Sequence, residues 1–213
     1  MRKWLGTVCM VLGVICLLGA IGFVVYNRME SGNAEQAAQS MLEEVQYMIR
    51  KDKINLPTLE ESDEPEAQED PAPDESQEPI EMATVKVSGY DCIGILSIPV
   101  LGLELPVLTD WSYAKLKLAP CHYYGSYYEP DFVIAAHNYV SHFGRLSELQ
   151  SGDLVVFTDA NGDAHYYAVV LLETLQKEAT REMITSGFDL SLYTCTPGGG
   201  SRVTVRCTAI KTK

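Results

Sequence analysis

The sequence predicts a mostly β domain, a closed or nearly closed barrel with short helices, set behind a membrane-spanning helix and an acidic linker. Three observations carry that reading. Residues 84–213 hold seven short runs with strand patterning, and closing such a sheet removes its exposed edges. The run from Trp4 to Tyr26 carries no charge. From Pro57 to Met82 the composition turns to Glu, Asp, Pro, Ser and Gln.

At about 1.5 Å per residue the uncharged run makes a helix of roughly 34 Å, enough for the ~30 Å hydrocarbon core. Gly19-Ala20 offers a small-residue pair of the kind a signal peptidase cuts, but the apolar region of a signal peptide is typically about 7 to 15 residues and this run is longer. Arg2, Lys3 and the amino terminus outweigh the single Arg28 on the other flank. Residues 1–30 are therefore expected to be a cytoplasmic tip and single-pass signal-anchor, with the rest of the chain extracellular. Cys9 and Cys16 lie inside the span as apolar filler.

Residues 31–83 divide in two. Ala37, Met41, Leu42, Val45, Met48 and Ile49 recur near three- and four-residue spacings and predict a short juxtamembrane helix over 33–53. Beyond it, Glu60 to Glu81 holds eleven acidic residues and no Lys or Arg. Such a segment repels itself and buries too little apolar surface to offset its ordering entropy, so it reads as a disordered linker. It accounts for most of the formal charge of −13, leaving −2 elsewhere, and the acidic balance says nothing about substrate. The linker is expected to hold the folded domain away from the membrane, and the barrel core is expected to come from residues 84–213 alone.

Within that domain strands are predicted at Cys92 to Ile98, Leu105 to Leu108, Asp131 to Ala136, Leu154 to Thr158, Ala164 to Leu172, Leu190 to Cys195 and Arg202 to Ile210. Short helices are predicted around Tyr113 to Leu118 and Ala179 to Thr185. Asn161-Gly162, between two alternating runs, marks a hairpin turn. The surrounding Asp159 to Asp163 faintly resembles a calcium loop, but its glycine falls too early.

The last two strands are the most informative. Leu190, Leu192 and Thr194 share one face, with Ser191, Tyr193 and Cys195 on the other; Val203, Val205 and Cys207 oppose Arg202, Thr204 and Arg206. Paired across the Pro197-Gly198-Gly199-Gly200 turn with Cys195 opposite Arg202, Leu192 meets Val205 and Leu190 meets Cys207. A slip of one residue would set core faces against polar ones. Directly opposed Cβ atoms lie about 4.5 to 5.5 Å apart, so the guanidinium would sit beside the sulfur or beside whatever the sulfur attacks. Arg206, opposite Ser191 and roughly 13 Å further along, is the weaker candidate. Phe132 to Ala136 is apolar on both faces, as in a central strand, and ends in His137. One Cys and one His brought together in the fold can form a nucleophile and base. His142 is the rival histidine, five residues later. His122, in an expected loop, and His165, on an expected strand, read as packing or surface residues.

These residues resemble the sortases, cysteine transpeptidases of Gram-positive cell surfaces. Ser191-Leu192-Tyr193-Thr194-Cys195 matches the family's Thr-Leu-x-Thr-Cys strand, with serine in place of the first threonine. Ala135-Ala136-His137 matches the histidine context, Phe143-Gly144-Arg145-Leu146 and Gly152-Asp153 the segments after it, and Arg202-Val203-Thr204-Val205 the last strand. Ile98-Pro99-Val100 and Leu105-Pro106-Val107 match the early Ile-Pro and Pro-Val signature. The ordered set covers about residues 90 to 210.

The resemblance implies an eight-stranded barrel, one strand more than the pattern shows, and a catalytic domain over 84–213. It implies that Cys195 attacks a Leu-Pro-x-Thr-Gly-like sorting signal to form a thioester, that His137 protonates the leaving amine and deprotonates the incoming one, and that Arg202 stabilises the oxyanion. The hydroxyls of Thr194 and Ser191 are expected at the substrate. The partners would be sorting-signal-bearing surface proteins and an amine nucleophile such as a cell-wall precursor or a pilin lysine, with the membrane held through the N-terminal helix. A surface cysteine peptidase that only hydrolyses, or a noncatalytic sortase-like binding module, are the alternatives. No metal-ligand spacing or phosphate-cradling glycine loop is present and no cofactor is expected; without a basic cluster, nucleic acid is not an expected partner. Cys92, Cys121 and Cys207 are placed where a disulfide is permitted, and the sequence does not pair them.

Overall fold

The computed structural model describes residues 2–55 and 81–211, with side chains described over 8–51 and 81–211. The acidic stretch predicted as a linker falls almost entirely outside the described residues.

Helix α1 (Arg2–Asn55) is one uninterrupted helix, so the membrane span and the juxtamembrane helix are two halves of a single element. Its first half is apolar and exposed, Met10 and Phe23 being 72% and 67% accessible, and it is long and apolar enough to cross a membrane. Its second half is buried along one stripe, Ala34, Ala38, Met41, Val45 and Ile49, at spacings of four, three, four and four.

That stripe packs on a nine-stranded antiparallel and parallel sheet of β1 (Val85–Val87), β2 (Tyr90–Ile98), β3 (Leu103–Leu108), β4 (Cys121–Tyr124), β5 (Phe132–Ala135), β6 (Leu154–Asp159), β7 (Ala164–Gln176), β8 (Leu190–Cys195) and β9 (Ser201–Ala209). The order is β1-β2-β3-β4-β5-β8-β9-β7-β6, and β6 pairs back onto β2. Strands β2 to β9 thus form a closed eight-stranded barrel, with β1 as a short extension beside β2. The seam demands a glycine: a Cβ on Gly94, at φ 152°, would lie 2.1 Å from the Thr158 carbonyl oxygen on β6.

Two strands are absent from the sequence reading, the short β1 and, within the barrel, β4. Cys121-His122-Tyr123-Tyr124 is short and shows no period-2 alternation, so it looked like loop; its place between β3 and β5 is set by pairing at its two ends. His122 accordingly sits on a strand, its ring nitrogens against the Thr109 and Gly125 carbonyls. Two short helices, α2 (Tyr113–Leu116) and α3 (Thr180–Ile184), fall inside the predicted helical stretches. Asp159 caps the β6–β7 turn through Oδ1, which accepts from the Asn161 and Asp163 amides, while its Oδ2 meets His165; the calcium-like segment is a turn.

Two apolar cores result. One fills the barrel with Ile93, Leu96, Phe132, Ile134, Phe157, Leu192 and Val205. The other lies outside it, where Met41, Val45 and Ile49 of α1 cover Val85, Val87, Cys92, Ile95 and Leu108. The expectation that residues after 84 build the core unaided is therefore corrected: β2 is apolar on both faces, and α1 supplies the cover for its outer one. Cys92, Cys121 and Cys207 are free and buried, and burial pushes each thiol up to about 12. Cys92 and Cys121 both flank Leu108 from opposite sides, two strand spacings or about 9.5 Å apart, beyond disulfide reach.

Candidate active site

Strands β5 and β8 run parallel, and their register pairs Phe132 with Leu190, Val133 with Ser191, Ile134 with Leu192 and Ala135 with Tyr193. The Ala136 amide then donates to the Tyr193 carbonyl at 3.1 Å. Continued two residues past the last pair, this register sets His137 level with Cys195. On the other side β8 pairs with β9 in the register expected from sequence, Cys195 opposite Arg202 and Ser191 opposite Arg206. Cys195 is thus the middle of a row, His137 on one flank and Arg202 on the other, with neighbouring strands about 4.8 Å apart.

Each member is held by its surroundings. Tyr139 stacks on the His137 ring at 4.5 Å with 16° between planes. His137 Nδ1 is buried without a hydrogen-bond partner among the described residues. The loop after it is folded tightly: Phe143 N donates to His137 O, and Gly144 N to Tyr139 O. A Cβ at Gly144 would lie 2.6 Å from the Asn138 carbonyl oxygen, so only glycine lets this loop close under the histidine. Thr194 Oγ1 donates to Ala136 O at 2.9 Å and ties the end of β5 to the end of β8, one residue short of both His137 and Cys195. Arg202 Nη1 reaches the Gly199 and Ser201 carbonyls at 3.3 and 3.2 Å, which anchors its guanidinium at the β8–β9 turn.

Cys195 opens onto two concavities. One, of about 120 Å³, runs from Cys195 and Arg202 past Tyr193 and Tyr123 to Trp111 and Tyr113, with Lys177 and Thr180 on its far wall. Its aromatic wall is continuous, since Tyr123 meets Tyr193 edge-on at 5.2 Å and Trp111 at 5.7 Å. The second, of about 210 Å³, lies between Thr194, Asn138, Gly144, Ser147 and Pro197. A larger concavity, of about 490 Å³ between Tyr127, Tyr166 and Ile210, lies at the opposite end of β5 and β8 from the Cys195 row.

The other sequence candidates are placed as follows. Ser191 does not reach the groove: it is fully buried, and its hydroxyl accepts from Arg206 Nη1 at 2.8 Å. Arg206 is buried beneath α3, donating to Glu173 Oε1 and to the Met183 and Glu182 carbonyls. It braces the groove wall and does not face Cys195. His142 is fully buried near the Ala34 and Leu116 backbone, and burial pushes it down to about 4. It is sealed away from the groove, so His137 is the histidine the fold presents. The tyrosine over His137 and the aromatic wall went unread, because Trp111, Tyr113, Tyr123 and Tyr139 show no periodicity that separates them from surface aromatics.

The closed barrel of these eight strands is the fold of the sortases. The family model described as a sortase domain matches residues 96–210, more than half of the chain, and the chain belongs to the sortase family. Among solved structures it is similar to sortase A from Corynebacterium diphtheriae, at 22% identity and TM-score 0.52, covering 58% of this chain and 63% of that one, less than two thirds of its length. Sortase C1 from Streptococcus agalactiae is 26% identical with TM-score 0.50, covering 57% and 69%. Clostridium perfringens sortase C, solved with the C-terminal cell wall sorting motif, is 21% identical with TM-score 0.52, covering 58% and 72%. No curated protein matches the sequence.

Proposed function

We propose that the chain is a membrane-anchored sortase, its N-terminus cytoplasmic and its barrel outside, that cleaves a Leu-Pro-x-Thr-Gly-like sorting signal and transfers it to an amine. The observation that carries this is the pairing of Cys195 with Arg202 across β8 and β9, together with a β5–β8 register that, extended two residues past its last pair, brings His137 beside Cys195. The Cys195 thiolate attacks the scissile carbonyl carbon; the C–N bond breaks, and His137 gives its proton to the leaving amine. The acyl group is then a thioester on Cys195. An incoming amine attacks it, His137 takes the amine's proton, and the thiolate leaves. Arg202 donates hydrogen bonds where the oxyanion develops. Thr194, which lines the second concavity beside Cys195, is the hydroxyl residue assigned to the substrate side; Ser191, sealed under α3, is not.

Substrates of this class are surface proteins bearing sorting signals, the ligand type seen with the Clostridium perfringens sortase C. The aromatic wall suits an apolar residue and a proline. The nucleophile is an amine, from a cell-wall precursor or a pilin lysine.

The test is the full chain in detergent, incubated with a library of five-residue sorting peptides, with and without an added amine, and read by mass spectrometry. A thioester on Cys195 and an amide product that needs the amine are expected, and Cys195→Ala should lose both. Acid product alone in the presence of amine would make the protein a peptidase. A Cys195 thiol inert to peptide and to alkylating reagent would leave a binding module.

A further inference from the structure

Helix α1 also orients the site. The last residue of its uncharged run is Tyr26, and the first barrel contacts follow at once. Lys117, just past α2, forms an ion pair with Glu30 at 2.5 Å, and Ser141 Oγ, in the loop after His137, donates to the Ser31 carbonyl at 3.4 Å. Glu30 and Ser31 lie only about 6 to 8 Å of helical rise beyond Tyr26. The Tyr26 phenol itself is within electrostatic reach of Lys117 and Tyr139. By contrast Ser88 and Glu104 hydrogen-bond to Glu44 and Gln46, about 20 Å further up the helix. The barrel therefore leans along α1 with its active-site end at the foot and its β1–β2 end at the top.

A bilayer adds roughly 5 to 8 Å of headgroup layer to each side of its ~30 Å core. Barrel segments pinned at Glu30 and Ser31 are at that height. Two of the side chains they expose, Trp111 and Tyr113, are of the types that favour it and are 43% and 76% accessible, and the apolar Val140 beside Ser141 is 67% accessible. Trp111 and Tyr113 are also the outer end of the groove that leads to Cys195.

We propose that Trp111, Tyr113 and Val140 rest in the headgroup layer of the bilayer that α1 crosses, so that the groove to Cys195 opens at the lipid surface. The proposal rests on the membrane-anchored reading above. It replaces the expectation that the acidic segment spaces the domain from the membrane, because the barrel docks on the helix before that segment begins.

The chain has two tryptophans, Trp4 in the span and Trp111 at the groove. The full chain would be reconstituted in phosphatidylcholine–phosphatidylglycerol vesicles brominated either next to the headgroup end of the acyl chain or near its terminus. In a Trp4→Phe variant Trp111 is the sole tryptophan, and its emission should be quenched several-fold more by bromine near the headgroups than by bromine near the chain ends. A Trp111→Phe companion reports Trp4. Trp4 quenched with Trp111 unaffected by either lipid would leave the anchor standing and overturn the lipid-surface groove. If neither is quenched, the anchor fails and the proposal fails with it.

Discussion

Lowering the pH should loosen the protein at one identifiable side chain, His142. It is fully buried between the loop after His137 and the Ala34 turn of α1, and burial, aided by the nearby His137, pushes it from the usual 6.5 to about 4. The unfolded chain takes up this proton near pH 6.5, and the folded protein does so only near pH 4. Between those values unfolding binds a proton, so stability falls as pH falls, while above pH 6.5 the contribution is complete. At about 1.4 kcal/mol per pH unit of difference, the loss reaches about 2 kcal/mol at pH 5 and about 3 at pH 4. His142→Phe removes the titrating group and keeps a planar ring in its place, so at pH 7 the variant should be about as stable as the parent. Carboxylate titrations are common to both proteins and cancel in the difference. Thermal unfolding at pH 7 and pH 5, in detergent, should show the variant's advantage growing by about 8 °C, taking roughly 4 °C per kcal/mol. A gap that does not change with pH would mean that His142 is solvated or partnered in the folded protein, and the argument for its burial would fall.

The two arginines should separate by readout. Arg202→Ala should lower kcat/KM by about 10² to 10³ with little change in Tm, the scale for losing one oxyanion donor, and lysine should restore only part because it lacks the planar fork. Arg206→Ala should instead lower stability by about 2 to 3 kcal/mol, because it leaves Glu173 unpaired at a site that solvent still partly reaches, and it should raise KM as the α3 wall loosens; an effect on kcat alone would contradict this. A fragment starting at residue 84 should bind a hydrophobic dye and unfold at lower temperature than one starting at residue 27, because Met41, Val45 and Ile49 no longer cover β1, β2 and β3. Equal Tm values for the two fragments would show the α1 stripe to be dispensable.

How much of this was legible in the sequence follows from which forces are local. Strands β8 and β9 could be read residue for residue because period-2 faces and a Gly-rich turn set their register, and Cys195 opposite Arg202 came with it. The end of β5 was readable because a run apolar on both faces has to be interior. Strand β4 was not, since pairing from both sides makes Cys121 to Tyr124 a strand without any pattern of its own. The stripe Ala34 to Ile49 was visible as a helix face, but an apolar face does not say what it will cover. Ser191 was expected at the groove because its hydroxyl stands where the sortase strand motif carries its first threonine. What removed it was the path of the β7–β8 connection, which lays α3 over Arg206 and Ser191 four residues before the cysteine, a fact about the crossover and not about the strand.

That displacement of Ser191 also accounts for how the site keeps its register. The row His137–Cys195–Arg202 depends on β8 standing in one alignment with β5 and with β9, and an error of one residue on either side would turn the nucleophile to the opposite face. Inside the barrel Leu192 against Val205 favours the correct alignment, but apolar contacts tolerate substitution and sliding better than hydrogen bonds do. On the outer face Arg206 donates to Ser191 from a fully buried position, and any shift of β9 would leave a guanidinium in the protein interior without its partners. The same arginine holds the Met183 and Glu182 carbonyls of α3, so the alignment of the strands and the position of the groove wall are set by one side chain. Arg206 lies about 13 Å from the row along β9 and needs no contact with substrate to matter. Its role is to make the one register that pairs Cys195 with Arg202 the only register in which a buried charge is satisfied.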